Sequence, residues 1–124
     1  MIKIIQNRFY FIFLSFLICF VDQFSKYLIS IDYNSVLYKD LILFTINYIK
    51  NYGAAFNIFS GSRVFLSLVS IFFSFVLIYF ILNKNINKKI DNLSYSLILG
   101  GTLGNGIDRI LKGYVVDFIN LNFI

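Results

Sequence analysis

Three apolar runs, at about residues 9–31, 64–82 and 93–111, set the limits on what this chain can become. Each is close to the roughly 20 residues that a helix needs to cross a bilayer. Hydrophobic residues make up 59% of the 124, and charged residues only 14%, against about 25% in an average soluble domain. The expectation is an α-helical integral membrane protein of about three transmembrane helices, forming a single membrane domain over residues 1–124. The third run is the weakest, diluted by glycines, Asn105, Asp108 and Arg109. Such dilution suits a helix packed inside a bundle better than one bathed in lipid. The first run has the outline of a secretory signal peptide, with Lys3 and Arg8 ahead of it. It is too long for one, carries Asp22 and Lys26, and shows no small-residue cleavage site, so it reads as a retained helix.

Basic residues sit where a membrane topology places them. Lys3 and Arg8 precede the first run, and Lys84, Lys88 and Lys89 lie between the second and third. By the positive-inside rule both segments, and with them the N-terminus, are cytoplasmic. That distribution accounts for the net charge of +5 without a nucleic-acid partner. The connection at about 34–60 and the tail at 113–124 then face outward. From Phe44 the order puts Phe44, Ile46 and Tyr48 on one side and Thr45, Asn47 and Ile49 on the other. Alternation of β-branched and aromatic residues argues for a strand, hence a small β-containing segment on the outer membrane surface.

Absences narrow the chemistry. There is no His, and Cys19 is the only cysteine, so a Ser-His-Asp triad, a His-ligated metal and an internal disulfide are excluded. No metal or cofactor is expected, and Cys19 reads as a packing residue. No Glu occurs, so carboxylate chemistry must come from Asp22, Asp32, Asp40, Asp91, Asp108 and Asp117. Asp32, Asp40 and Asp91 flank the spans and read as solvated. An ionisable side chain within a span reads first as a functional site. With about 1.5 Å of rise per residue, Asp22 lies roughly 20 Å and Asp108 roughly 22 Å from the inner boundary. Asp117, just past Gly113, should reach the same outer level.

Plainer readings stand beside these. Asp22 and Lys26 are four apart on one helix face, which makes an ion pair, and Lys26 can snorkel outward. Asp108 is either structural or catalytic. Arg109 can neutralise Asp117 or hold a backbone carbonyl. The glycines from Gly100 to Gly106 form neither a Walker loop nor a dinucleotide fingerprint, and serve close helix packing better. Asp117 has no partner nearby in sequence. A hydrolytic device open to this composition is a carboxylate pair that activates water, one acid and one base.

Four segments then carry a resemblance. Asp22-Gln23-Phe24-Ser25-Lys26, Asn51-Tyr52-Gly53-Ala54-Ala55-Phe56, Gly104-Asn105-Gly106-Ile107-Asp108-Arg109 and Val115-Val116-Asp117-Phe118 follow one another along nearly the whole chain. In this order the chain resembles lipoprotein signal peptidase, the signal peptidase II family of bacterial membrane aspartic proteases. The resemblance implies removal of signal peptides from prolipoproteins just before a diacylglyceryl-modified Cys, at the outer face of the inner membrane. It implies that Asp117 is one of two catalytic aspartates and that Asn105, Asp108 and Arg109 line the site. Asn51 and Gly53 would border the substrate, and Asp22 and Lys26 would be polar positions of the first helix. The family's second aspartate belongs to an Asn-x-Ala-Asp motif on a further helix, and the sequence ends seven residues after Asp117 without it. Three readings follow from that departure: an interrupted sequence, Asp108 as substitute partner, or a non-catalytic remnant that binds lipidated signal peptides or partner helices.

Overall fold

The computed structural model describes residues 2–31, 39–40, 43–83 and 89–121. Its elements are α1 (Ile2–Ile31), β1 (Lys39–Asp40), β2 (Phe44–Asn51), a 3-10 turn (Ala55–Asn57), α2 (Arg63–Asn83), α3 (Lys89–Leu111) and β3 (Val115–Leu121). The runs expected at about 9–31, 64–82 and 93–111 lie within α1, α2 and α3. At 30, 21 and 23 residues, all three helices exceed the roughly 30 Å of hydrocarbon they would cross. Asp32, Lys84 and Lys88 lie outside the described residues, as do the side chains of Lys3, Asp40 and Lys89. The readings placed on them therefore stay with the sequence.

Burial is inverted relative to a water-soluble protein. Phe13, Phe16 and Phe20 on α1 and Phe72 and Phe75 on α2 point outward. Ser15, Ser70, Ser74, Ser96 and Asp108 are buried. Lipid competes poorly for polar groups and well for phenyl rings, so this is the pattern of an integral membrane bundle. The apolar core is small, with Leu77, Ile81 and Leu99 at its centre and Phe11, Ile12 and Leu103 packed around them. α3 packs along both α1 and α2, which touch each other little. The most polar of the three helices is thus the one shielded by the others.

Small residues make that central position accessible. A Cβ on Gly100 would stand 2.6 Å from the Ile18 side chain and 2.8 Å from the Ser15 carbonyl oxygen. One on Gly104 would collide with the Asp22 carboxylate, and one on Gly106 would come within 3.1 Å of Ser70. Gly100 and Gly104 are one turn apart and face α1, whereas Gly106 faces α2. This small-xxx-small spacing lets backbones approach without a hydrophobic drive. Ser96 uses the proximity, its hydroxyl lying 2.9 Å from the Phe11 carbonyl oxygen of α1. At one end of the bundle Arg8 donates to the Leu82 carbonyl. At the other, Arg63 donates to the carbonyls of Arg109 (2.8 Å) and Ile110. The C-terminal ends of α2 and α3 are thereby capped by an arginine from a neighbouring helix.

The sheet is antiparallel in the order β1-β2-β3. Two expectations need correction here. Residues 113–124 were expected as a tail, yet Val115–Leu121 is a strand paired with β2, with Val115 and Val116 buried. Its pairing partner lies some 70 residues upstream (Asn51 opposite Val115, Ile46 opposite Ile119), so no local pattern announces it. In β2 the alternation is broken between Ile46 and Ile49, where one extra residue shifts the register. Thr45 is the buried residue, only 5% exposed, while Ile49 faces outward. A bulge re-aims side chains, and here it sets Ile49 opposite Asp117 and Asn51 opposite Val115.

Gly100→Ala should destabilise the bundle by about 1–3 kcal/mol through overpacking. Gly101→Ala, whose added carbon meets nothing within 4 Å, should be neutral or slightly stabilising. Unfolding of the two variants in detergent micelles checks this, and equal effects would contradict the packing assigned to Gly100.

Candidate active site

Two polar groups sit side by side at the end of the bundle where α3 meets the sheet. The first lies between α1 and α3. The Lys26 ammonium is 3% exposed and stands 2.7 Å from Asp22 Oδ2, 2.8 Å from Asp108 Oδ2 and 3.1 Å from Asn105 Oδ1. Asp22 Oδ2 and Asn105 Oδ1 accept hydrogen bonds from it, whereas Asp108 Oδ2 faces it as an ion pair without hydrogen-bond geometry. Lys26 therefore does not snorkel outward as the sequence allowed. It turns inward, because two carboxylates and an amide oxygen satisfy it better than the bilayer surface would. Gln23 closes the group by donating to the Gly104 carbonyl at 3.0 Å. Asp108 is fully buried, and its second oxygen takes Lys112 Nζ at 2.8 Å. Lys112 was not singled out from sequence, although it stands at the i,i+4 spacing from Asp108 that signals such a pair.

The second group is built by the sheet and the turn after it. Asn51 Nδ2 donates to Asp117 Oδ2 at 2.8 Å. Because Ile49 faces Asp117 and Asn51 faces Val115, Asn51 and Asp117 are diagonal neighbours on one face, within reach across the strands. The amide is oriented by its own turn, its Oδ1 accepting from Gly53 N at 2.8 Å. This local Asx geometry leaves the NH2 as the end presented to the carboxylate. Nδ2 also reaches the Ala54 carbonyl at 3.2 Å.

Gly53 contributes to the site in two ways. A Cβ there would stand 2.6 Å from the backbone of Asn57 and Ile58, so only glycine lets the following turn close. Its carbonyl accepts from Arg109 Nη2 at 3.0 Å. Of the two roles weighed for Arg109, holding a backbone carbonyl is thus realised, with Asp117 and Asp108 both within electrostatic reach of its charge. Arg109 Nε is buried and without a hydrogen-bond partner among the described residues.

The three aspartates expected to converge are consequently divided. Asp22 and Asp108 share Lys26, while Asp117 is held by Asn51 across the sheet. Adjacent positions on α3 link the groups, Asp108 belonging to one and Arg109 to the other. Asp117 is half-buried, and its Oδ1 has no protein partner among the described residues. Asp108 has a lysine on each oxygen and no exposure, which leaves it no access to water. Asp117 differs from Asp108 in being partly exposed and held by a single side-chain hydrogen bond. Arg63, which clamps the end of α3 beneath Arg109, carried no sequence signal beyond a charge at a helix start.

Comparison with known proteins follows the same residues. A family model described as signal peptidase (SPase) II matches residues 14–124. The chain is 39% identical over 121 residues to the lipoprotein signal peptidase of Trichormus variabilis, covering 96% of this chain and 76% of the relative. It is 38% identical over 122 residues to that of Haemophilus ducreyi, covering 93% and 74%. A solved structure described as a bacterial membrane enzyme superposes with a TM-score of 0.78 at 30% identity, over 91% of this chain and 70% of that one. A second gives 0.73 at 31% identity, over 91% and 74%. Matched in sequence and in fold over most of its length, the chain belongs to the signal peptidase II family of bacterial membrane proteases.

Proposed function

We propose that the chain is an aspartic endopeptidase of signal peptidase II type. In this reading it acts on lipid-modified prolipoproteins, cleaving the signal peptide before a diacylglyceryl-modified Cys. The observation that carries the reading is Asp117: a carboxylate oriented by Asn51, next to the Arg109 charge, with one oxygen open. In the reaction, Asp117 takes a proton from water as the water oxygen bonds to the scissile carbonyl carbon. The carbonyl electron pair moves onto its oxygen, where the Arg109 charge, within electrostatic reach of Asp117, favours the negative charge that develops. Asn105, Asp108, Asp22 and Lys26 hold α1 and α3 in place around it, while Asn51 and Gly53 border the substrate. Expulsion of the leaving amine needs a proton from a second acid, which the described residues beside Asp117 do not supply. Asp108 is not that acid in our reading, because both its oxygens are committed to lysines.

The reading includes a single membrane unit in the inner membrane of a bacterium, N-terminus in the cytoplasm. Arg8 at the start of the first span and Arg63 at the start of the second mark opposite ends of the bundle, which is consistent with a site on the outer side. A binding-only site is the second reading, favoured by the absence of a free second carboxylate beside Asp117 among the described residues. A cleavage assay on purified protein with a diacylated prolipoprotein separates the two, since any product excludes the binding-only version.

Asp117→Asn should leave the protein inserted in membranes and reduce processing by about 10²–10⁴-fold. Asp108→Asn should instead lower the amount of folded protein while the surviving fraction processes normally. The opposite pattern, in cell-envelope abundance and prolipoprotein turnover, would transfer the catalytic role to Asp108. Asn51→Ala removes a hydrogen bond to a charged group, worth about 1.5–3 kcal/mol. It should slow turnover by roughly 10- to 100-fold with Asp117 still in place. Unchanged turnover would remove Asn51 from the site.

A further inference from the structure

Between the sheet and α2 the chain makes a closed turn whose side chains face the wrong way for a water-exposed loop. From Tyr52 to Ser62 there is no charged residue. Part of the backbone is tied within the turn: Ala54 N donates to Ile58 O at 2.7 Å, Asn57 N to Ala54 O at 3.1 Å and Ile58 N to Ala55 O at 3.2 Å. Ser62 N donates to Phe59 O at 3.0 Å, and the ends are tied by Gly61 N to Tyr52 O at 3.3 Å. With these amides paired, the turn carries fewer unmet donors into the partly hydrated boundary layer.

Its tip is apolar and outward. Ile58 is 55% and Phe59 60% exposed. Phe59 adopts a φ of +57° and Asn57 one of +59°. Asn tolerates this left-handed region, whereas a phenylalanine there is a costly exception. Strain of that kind persists only when something stabilises the outward placement, and water does not stabilise an exposed phenyl ring. The Phe59 ring instead lies 5.6 Å from that of Phe65 on the first turn of α2. Val64, Phe65 and Leu68 continue the exposed apolar surface down that helix. The tip is therefore continuous with a face already assigned to lipid.

We propose that the Ile58–Phe59 tip is a membrane-surface anchor, inserted in the headgroup–acyl boundary of the leaflet at the site's end of the bundle. Its partner is the lipid surface itself. The anchor ties down the turn that carries Gly53, and through the Gly53 carbonyl it fixes the height of Arg109 relative to the bilayer. This holds whether or not the site cleaves peptides.

The chain has no tryptophan, so Phe59→Trp introduces a single reporter, read after reconstitution of the protein into phosphatidylcholine–phosphatidylglycerol vesicles. The expected result is blue-shifted emission, strong quenching by lipid brominated near the glycerol end of its acyl chains, weaker quenching by lipid brominated near the methyl end, and shielding from aqueous acrylamide. Ile58→Trp, at a residue with an ordinary φ of −64°, should report the same and decides the matter if the first variant does not fold. Quenching by acrylamide but not by brominated lipid would overturn the anchor. Shielding from both quenchers would also overturn it, by showing that protein, such as a second copy of the chain, covers the tip.

Discussion

The Lys26 ammonium is held away from water by two carboxylates and an amide oxygen drawn from two helices, so α1 cannot rotate or slide against α3 without stranding a charge. Taking an ion pair out of water is expensive, and the attraction between the charges has to offset that cost. Here two carboxylates and an amide oxygen surround one ammonium, and Asp108 is balanced again by Lys112 on its other side. The glycines of α3 allow the arrangement, since a side chain at Gly104 would occupy the position of the Asp22 carboxylate. The polar network supplies registry more than raw stability. In a bundle whose outer faces are interchangeable phenyl and leucyl surfaces, it acts with the Gly100 contact and the Ser96–Phe11 hydrogen bond to specify how α1 meets α3.

Registry in the helices is transmitted to the sheet by one turn of α3. Asp108 looks toward α1, and its neighbour Arg109 reaches the Gly53 carbonyl on the opposite side. Arg63 caps the same helix end, its side chain lying 3.5 Å from where a Cβ on Gly113 would stand. Gly113 has a φ of +85°, the left-handed conformation that ends a helix and redirects the chain. β3 follows at once, and with it Asp117. The carboxylate proposed to do chemistry is thus positioned by a helix terminus, a bulged strand and an Asx turn, joined to the helix that carries the Lys26 network through Arg109 and Gly113.

The helices were legible in the sequence because a bilayer imposes one length and one composition on anything that crosses it. Asp22, Lys26, Asp108 and Arg109 stood out as candidates because charge within a span is rare, whereas Asn51 and Gly53 came forward only through the family resemblance. Which residues pair was less so. The i,i+4 spacing gave Asp22 with Lys26 and would have given Asp108 with Lys112. That Lys26 also takes Asp108 depends on how close two backbones come, which the glycines permit without specifying. The strand at Val115–Leu121 was missed because its hydrogen bonds close over a long separation in sequence, and the register of β2 was blurred by a one-residue bulge that alternation cannot show. Asp117 and Asn51 are 66 residues apart, and only the assembled sheet makes them neighbours.

A double-mutant cycle on Lys26 and Asp108 addresses the network most directly. Unfolding in detergent would be compared for Lys26→Met, Asp108→Asn and the pair. Lys26→Met leaves two carboxylates facing each other with only Lys112 beside Asp108 and should cost about 3–5 kcal/mol. The double variant should lose less than the sum of the single losses, by at least about 1 kcal/mol of coupling. Strict additivity would mean that Lys26 and Asp108 do not share the interaction on which the placement of Arg109 and Asp117 is built.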